Sequence, residues 1–115
     1  MKTSEINITV ELDGKGVPER IRWDAPDRPD DVAPHTKALA LSLWDDNSNQ
    51  TINRNIWDKK VQVGEMKRFV INTMVSLAET LEFATGDQQG AADIRALCEE
   101  LARRVVDEEQ GKGRG

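Results

Sequence analysis

The chain has 115 residues, 16 Lys plus Arg against 21 Asp plus Glu, and a net charge of −5. That length suits one domain with its own core, and the acidic balance argues against nucleic acid as the principal ligand, because phosphate neutralisation needs a net or clustered positive surface. A single cysteine, Cys98, has no internal partner for a disulfide, which suits a reducing compartment.

The N-terminal segment lacks the apolar core of an export signal, and no apolar stretch reaches the ~20 residues that span a bilayer. The expectation is therefore a cytoplasmic protein without membrane insertion. Two glycosylation sequons, at Asn7 and Asn49, are then coincidences.

In chain order, Ile6, Ile8, Val10 and Leu12 alternate with polar residues, the period of a half-buried strand. Asp13-Gly14-Lys15-Gly16-Val17-Pro18 interrupts the run with turn chemistry, and Ile21, Trp23 and Ala25 resume the alternation. Together they predict an antiparallel hairpin with a long loop. Residues 24–31 hold two prolines and four aspartates and read as a connector.

Pro34 suits a first helical turn, and residues 38–44, Ala-Leu-Ala-Leu-Ser-Leu-Trp, read as a helix apolar nearly all round. A polar loop follows, then a third strand over residues 51–57. Residues 64–85 form the longest predicted helix, with Gly86 at its C-terminal stop. Residues 91–109 form the last, with Ile94, Leu97, Cys98, Leu101 and Val105 inward and Glu99/Arg103 and Glu100/Arg104 as outward pairs.

The predicted fold class is α+β: a three-stranded, mainly antiparallel sheet, element order β-β-α-β-α-α, strand order 2-1-3, helices packed on one face. The order 2-1-3 depends on a crossover through the helix at 38–44. Residues 1–110 are expected to form a single domain and residues 111–115, Gly-Lys-Gly-Arg-Gly, a disordered tail.

Several segments resemble a known family when taken together in this order and spacing. They are Thr3-Ser4-Glu5-Ile6-Asn7-Ile8-Thr9-Val10, Val17-Pro18-Glu19-Arg20-Ile21-Arg22-Trp23, Leu41-Ser42-Leu43-Trp44-Asp45, Asn55-Ile56-Trp57 and Val63-Gly64-Glu65-Met66-Lys67-Arg68-Phe69. The set resembles the gliding motility-associated GldC family over about residues 3–105. The resemblance implies a small cytoplasmic bacterial protein associated with surface gliding, and it implies no catalytic residues.

Chemistry-bearing residues are scattered. Asp45, Asn47 and Asn49 match positions 1, 3 and 5 of a calcium loop, but Gln50 and Ile56 replace its glycine and its bidentate glutamate. The aspartates at 24, 27, 30 and 31 stand among prolines that need not converge them on a cation. Three Trp-Asp pairs, at 23, 44 and 57, lack the spacing of propeller blades. His35 is the sole histidine, without companions for a triad or zinc, and Cys98 shares an apolar stripe as a buried thiol. Gly14-Lys15-Gly16 is a turn, because no helix follows it to make a phosphate cradle.

No catalytic residue, metal site or cofactor is therefore expected. Trp57, opposite Ile52 and Ile56, either packs as core or edge cover or fills a partner's pocket. Lys59, Lys60, Lys67 and Arg68, around the start of the long helix, are either a solvated face or an attraction for an acidic partner. The functional expectation is an interaction or accessory component that binds an unidentified protein of a motility or envelope machine, with self-association through the 38–44 face or a sheet edge as a further possibility. The alternative is a small-molecule-binding domain or an enzyme of unfamiliar type, with a pocket between sheet and helices.

Overall fold

A computed structural model describes residues 2–113, with side chains to residue 111. The chain forms two compact units, one up to Val61 and one from Gln62 onward. The first is all β and the second all α, so the fold class is α+β with antiparallel sheets, as expected.

The β unit opens with β1 (Asn7–Leu12) and β2 (Pro18–Asp24), paired antiparallel with Val10 opposite Ile21 and Ile8 opposite Trp23. The register slips between Glu11 and Leu12, leaving Glu19 as the extra residue of a bulge. Their loop is built on Asp13, whose Oδ1 accepts the backbone N–H groups of Lys15 at 2.8 Å and Val17 at 2.9 Å. On the polar side Glu11 accepts from Arg20 at 3.0 Å and Arg22 at 2.6 Å.

After the connector the chain returns as β3 (His35–Thr36), which pairs with β2 and places Thr36 opposite Ile21. Ile21 is the most enclosed large side chain of this unit, being 1% exposed. At Lys37 the chain changes partner. β4 (Ala38–Asp45) pairs along its whole length with β5 (Gln50–Trp57), from Ala38 opposite Trp57 to Asp45 opposite Gln50.

Residues 38–44 are thus a strand and not the predicted first helix, which corrects the element order to five strands followed by two helices. Strand order is corrected with it. With no helical crossover, consecutive strands pair within each sheet, giving β1-β2-β3 in one and β4-β5 in the other, instead of 2-1-3. The choice of strand rests on this segment together with its pairing partner. Seven residues are short for a helix, the leucines fall at alternate positions 39, 41 and 43, and Gln50–Trp57 supplies a complementary strand.

The α unit is a helical hairpin of α1 (Val63–Thr85) and α2 (Gln88–Gly113). At the start of α1 the Gln62 N–H donates to Glu65 Oε1 at 3.0 Å, satisfying a donor that the helix leaves open. α1 stops at Gly86, whose φ of 76° is left-handed and whose N–H reaches the Glu82 carbonyl. Asp87 then caps α2 by accepting the Gly90 N–H at 2.8 Å. A Cβ at Gly90 would fall 2.3 Å from the Asp87 carboxylate, so a larger residue there would shift the Asp87 side chain from this position.

Ile71, Cys98 and Val105 form the centre of this unit, flanked by Met74, Val75, Ile94 and Leu101. Ala78 and Ala91, both fully buried, let the helices approach near the turn. Leu97, expected inward, is instead about half exposed, because two helices enclose only one stripe between them. Glu100 accepts from both Arg103 and Arg104, so the outward pairing of α2 centres on it. α2 continues through Gly111 to Gly113, within the segment expected as a tail, while Arg114 and Gly115 lie outside the described residues.

Candidate interaction surfaces

The residues singled out from sequence fall in both units. Trp57 ends β5, is 54% exposed, and shares a side of the ribbon with Ala38, opposite to Ile56 and Leu39. Register explains this placement, since paired residues of an antiparallel ladder point the same way and neighbours point oppositely. Lys59 pairs with Asp13 Oδ2, so it braces the β1–β2 loop. With Lys59 and two backbone N–H groups around it, the Asp13 carboxyl is held down at about 2. The same contact raises the Lys59 ammonium above its ordinary value.

Lys60 follows Asp58, a nearly buried carboxylate whose Oδ1 accepts the N–H groups of Lys60 at 2.9 Å and Val61 at 3.0 Å. This Asx-type turn ends β5. In the α unit, Lys67 donates to Glu108 and Arg68 to Glu109, tying the second turn of α1 to the last turns of α2. These two cations therefore act within the helical hairpin, and their partners offset the unfavourable placement of positive charge at a helix N-terminus.

Other singled-out groups are engaged locally. Asp45 accepts from the Ser48 hydroxyl at 2.6 Å and the Asn47 N–H at 3.3 Å, which lowers its pKa and shapes the β4–β5 turn. Its oxygens serve that turn, with Asn49 left-handed at φ 55°. Asp24 accepts from Arg28 and the Ala25 N–H. Among the described residues no group of three or more His, Cys, Asp or Glu side chains is gathered as a metal would require.

His35 sits in a strand, not at the start of a helix, because the helix expected there does not form. It lines a polar depression of about 450 Å³ together with Arg20, Lys37, Asp58 and Lys60. Cys98 is 3% exposed and lies 3.7 Å from the Ile71 carbonyl oxygen within the apolar centre of the α unit. Two more cavities stand out. One, about 360 Å³, is an apolar groove between α1 and α2 lined by Met66, Val70, Leu101 and Val105. The other, about 370 Å³, lies around Asn7 and Asp24. Neither tryptophan of the β4–β5 ribbon lines any of these three cavities.

The feature that sequence reading missed is the ribbon itself. One side carries Leu39, Leu41, Leu43, Ile52 and Ile56, with Leu43 54% and Ile52 51% exposed. The opposite side carries Trp44, 62% exposed, and Trp57 at its two ends. The alternation of leucine with alanine and serine over residues 38–43 was the available signal.

Two strand ladders followed by a two-helix hairpin define a small α+β protein. A family model of gliding motility-associated GldC-like proteins matches residues 18–107, and the chain belongs to that family. No curated protein and no solved structure matches it significantly. Among the described residues no helix is long and apolar enough to cross a membrane.

Proposed function

We propose that this protein is a non-catalytic docking component that acts in the cytoplasm alongside the gliding machinery and binds another protein through the Trp57 side of the β4–β5 ribbon. Membership of the GldC-like family supports the association with gliding. The observation that carries the docking role is Trp57, a large ring half exposed at the end of a regular strand, where aromatic anchors contribute most to binding when a partner encloses them. Lys60 lies three positions further along the chain, which favours a partner with an acidic residue beside an apolar pocket.

The test is affinity capture from lysate of the native organism with wild-type and Trp57→Ala protein as baits. The expected result is a protein retained by the wild type and lost, or retained at least tenfold less, with the variant. Identical sets of captured proteins would remove Trp57 from the interface. The alternative, a small-molecule-binding domain or an enzyme of unfamiliar type, would use the apolar groove between α1 and α2. It predicts a thermal shift with some member of a metabolite panel, weakened in Val70→Asp.

A further inference from the structure

We propose that the leucine side of the β4–β5 ribbon is a self-association surface, on which two copies of the chain pack face to face about a two-fold axis parallel to the strands. This rests on the reading of the ribbon as a contact element, but it concerns the side opposite Trp57.

A two-stranded ribbon on its own is marginal in water. Here residues 40–44 of β4 and 50–55 of β5 are exposed on both sides of the ribbon, so the ladder needs a second layer to become firm. Sheets that face each other do so about 10 Å apart with strands nearly aligned.

The leucine side is complementary to itself under one operation. An axis along the strands lays β4 of one copy over β5 of the other, rung for rung. Leu39 then meets the partner's Ile56, and Leu43 meets the partner's Ile52, following the pairing already present within the ribbon. Leu41 covers the aliphatic stem of the partner's Arg54, whose charged end reaches the rim. The two Arg54 groups lie on opposite edges, so no like charges meet. An axis across the strands at the Leu41–Arg54 rung would instead stack one guanidinium on the other.

Size sets the strength. Eight residues of two paired strands span roughly 26 Å by roughly 10 Å. With side-chain relief, two such faces bury about 1,000 Å² in total, at the lower edge of specific interfaces. The dimer is accordingly weak and reversible.

Sedimentation equilibrium of the full chain from about 1 μM to about 500 μM tests this, with a dissociation constant expected in the micromolar range. The weight-average mass should rise from 12.9 kDa toward twice that value. Leu43→Asp should weaken the dimer at least tenfold, and Trp44→Asp, on the other side, should leave it intact. A constant mass of 12.9 kDa, or a dimer indifferent to Leu43→Asp, overturns the proposal. Should Leu43→Asp lose its circular-dichroism spectrum, the milder Leu43→Cys and Trp44→Cys proteins decide with a short bismaleimide. Cross-linking at 43 and not at 44 supports the arrangement, and any other pattern overturns it. Leu43→Asp protein that still captures the Trp57-dependent partner shows that the docking role stands apart from self-association.

Discussion

The helical hairpin encloses one apolar stripe while leaving side chains such as Leu77 and Phe83 exposed, whereas the β4–β5 ribbon leaves most of its large apolar side chains open. In the hairpin, Ile71, Cys98 and Val105 face one another and are enclosed, and ion pairs such as Lys67–Glu108 and Arg95–Glu82 close the rim. In the ribbon, Leu41, Leu43, Ile52 and both terminal tryptophans stand open. The lesson is geometric. Two long helices make each other's second layer, whereas two strands make one layer with two faces and leave both to be covered.

Breaking that contrast should be easiest from the helical side. Ile71→Ala removes a buried side chain that its neighbours cannot replace, at an expected cost of about 2–4 kcal/mol, while Leu43→Ala at submicromolar concentration should cost under about 0.5 kcal/mol. Urea titration followed at 222 nm for the helices and by tryptophan fluorescence for the β unit separates the two, because Trp23, Trp44 and Trp57 all precede Gln62. Equal effects of the two substitutions would erase the distinction between an enclosed and an open apolar set.

A smaller effect is expected at the stop of α1. Gly86→Ala forces a Cβ into a left-handed conformation, with an expected loss of about 1–2 kcal/mol in the same titration, confined to the helical signal. No change would mean that the stop relaxes without strain.

The smallest effect is a pH dependence of the β unit. Asp13 titrates at about 2 in the folded protein against 3.8 ordinarily, so the folded state binds fewer protons between those values. Its contribution is complete above about pH 4 and is lost as the pH falls toward about 2. The fluorescence-detected melting temperature should therefore fall on acidification through that window, and fall less steeply in Asp13→Asn. A parallel fall in both proteins would show that the Asp13–Lys59 contact does not carry the sensitivity.

Much of the chain was legible because its signals were local. The alternation at Ile8 and Val10, the turn chemistry from Asp13 to Gly16, and the glycine stop at Gly86 each act within a few residues, and each stands where expected. The last helix was placed to within a few residues, and Cys98 on its buried stripe. The segment at 38–44 was not legible in the same way. Alanine and leucine favour helices in isolation, the run is short, and both periodicities fit seven nearly continuous apolar residues.

The amino-acid order by itself determined the class of the fold, the first hairpin, the two long helices and the family. Those rest on interactions between near neighbours. Only the tertiary structure decided that residues 38–44 are extended, that Lys67 and Arg68 brace α2, and that a leucine ladder and two tryptophans share one ribbon. Each depends on what a segment meets elsewhere in the chain: Gln50–Trp57 for the strand, Glu108 and Glu109 for the cations. A pairing partner eight residues long outweighs the intrinsic preference of a short run, and that contest is resolved between segments and not within one.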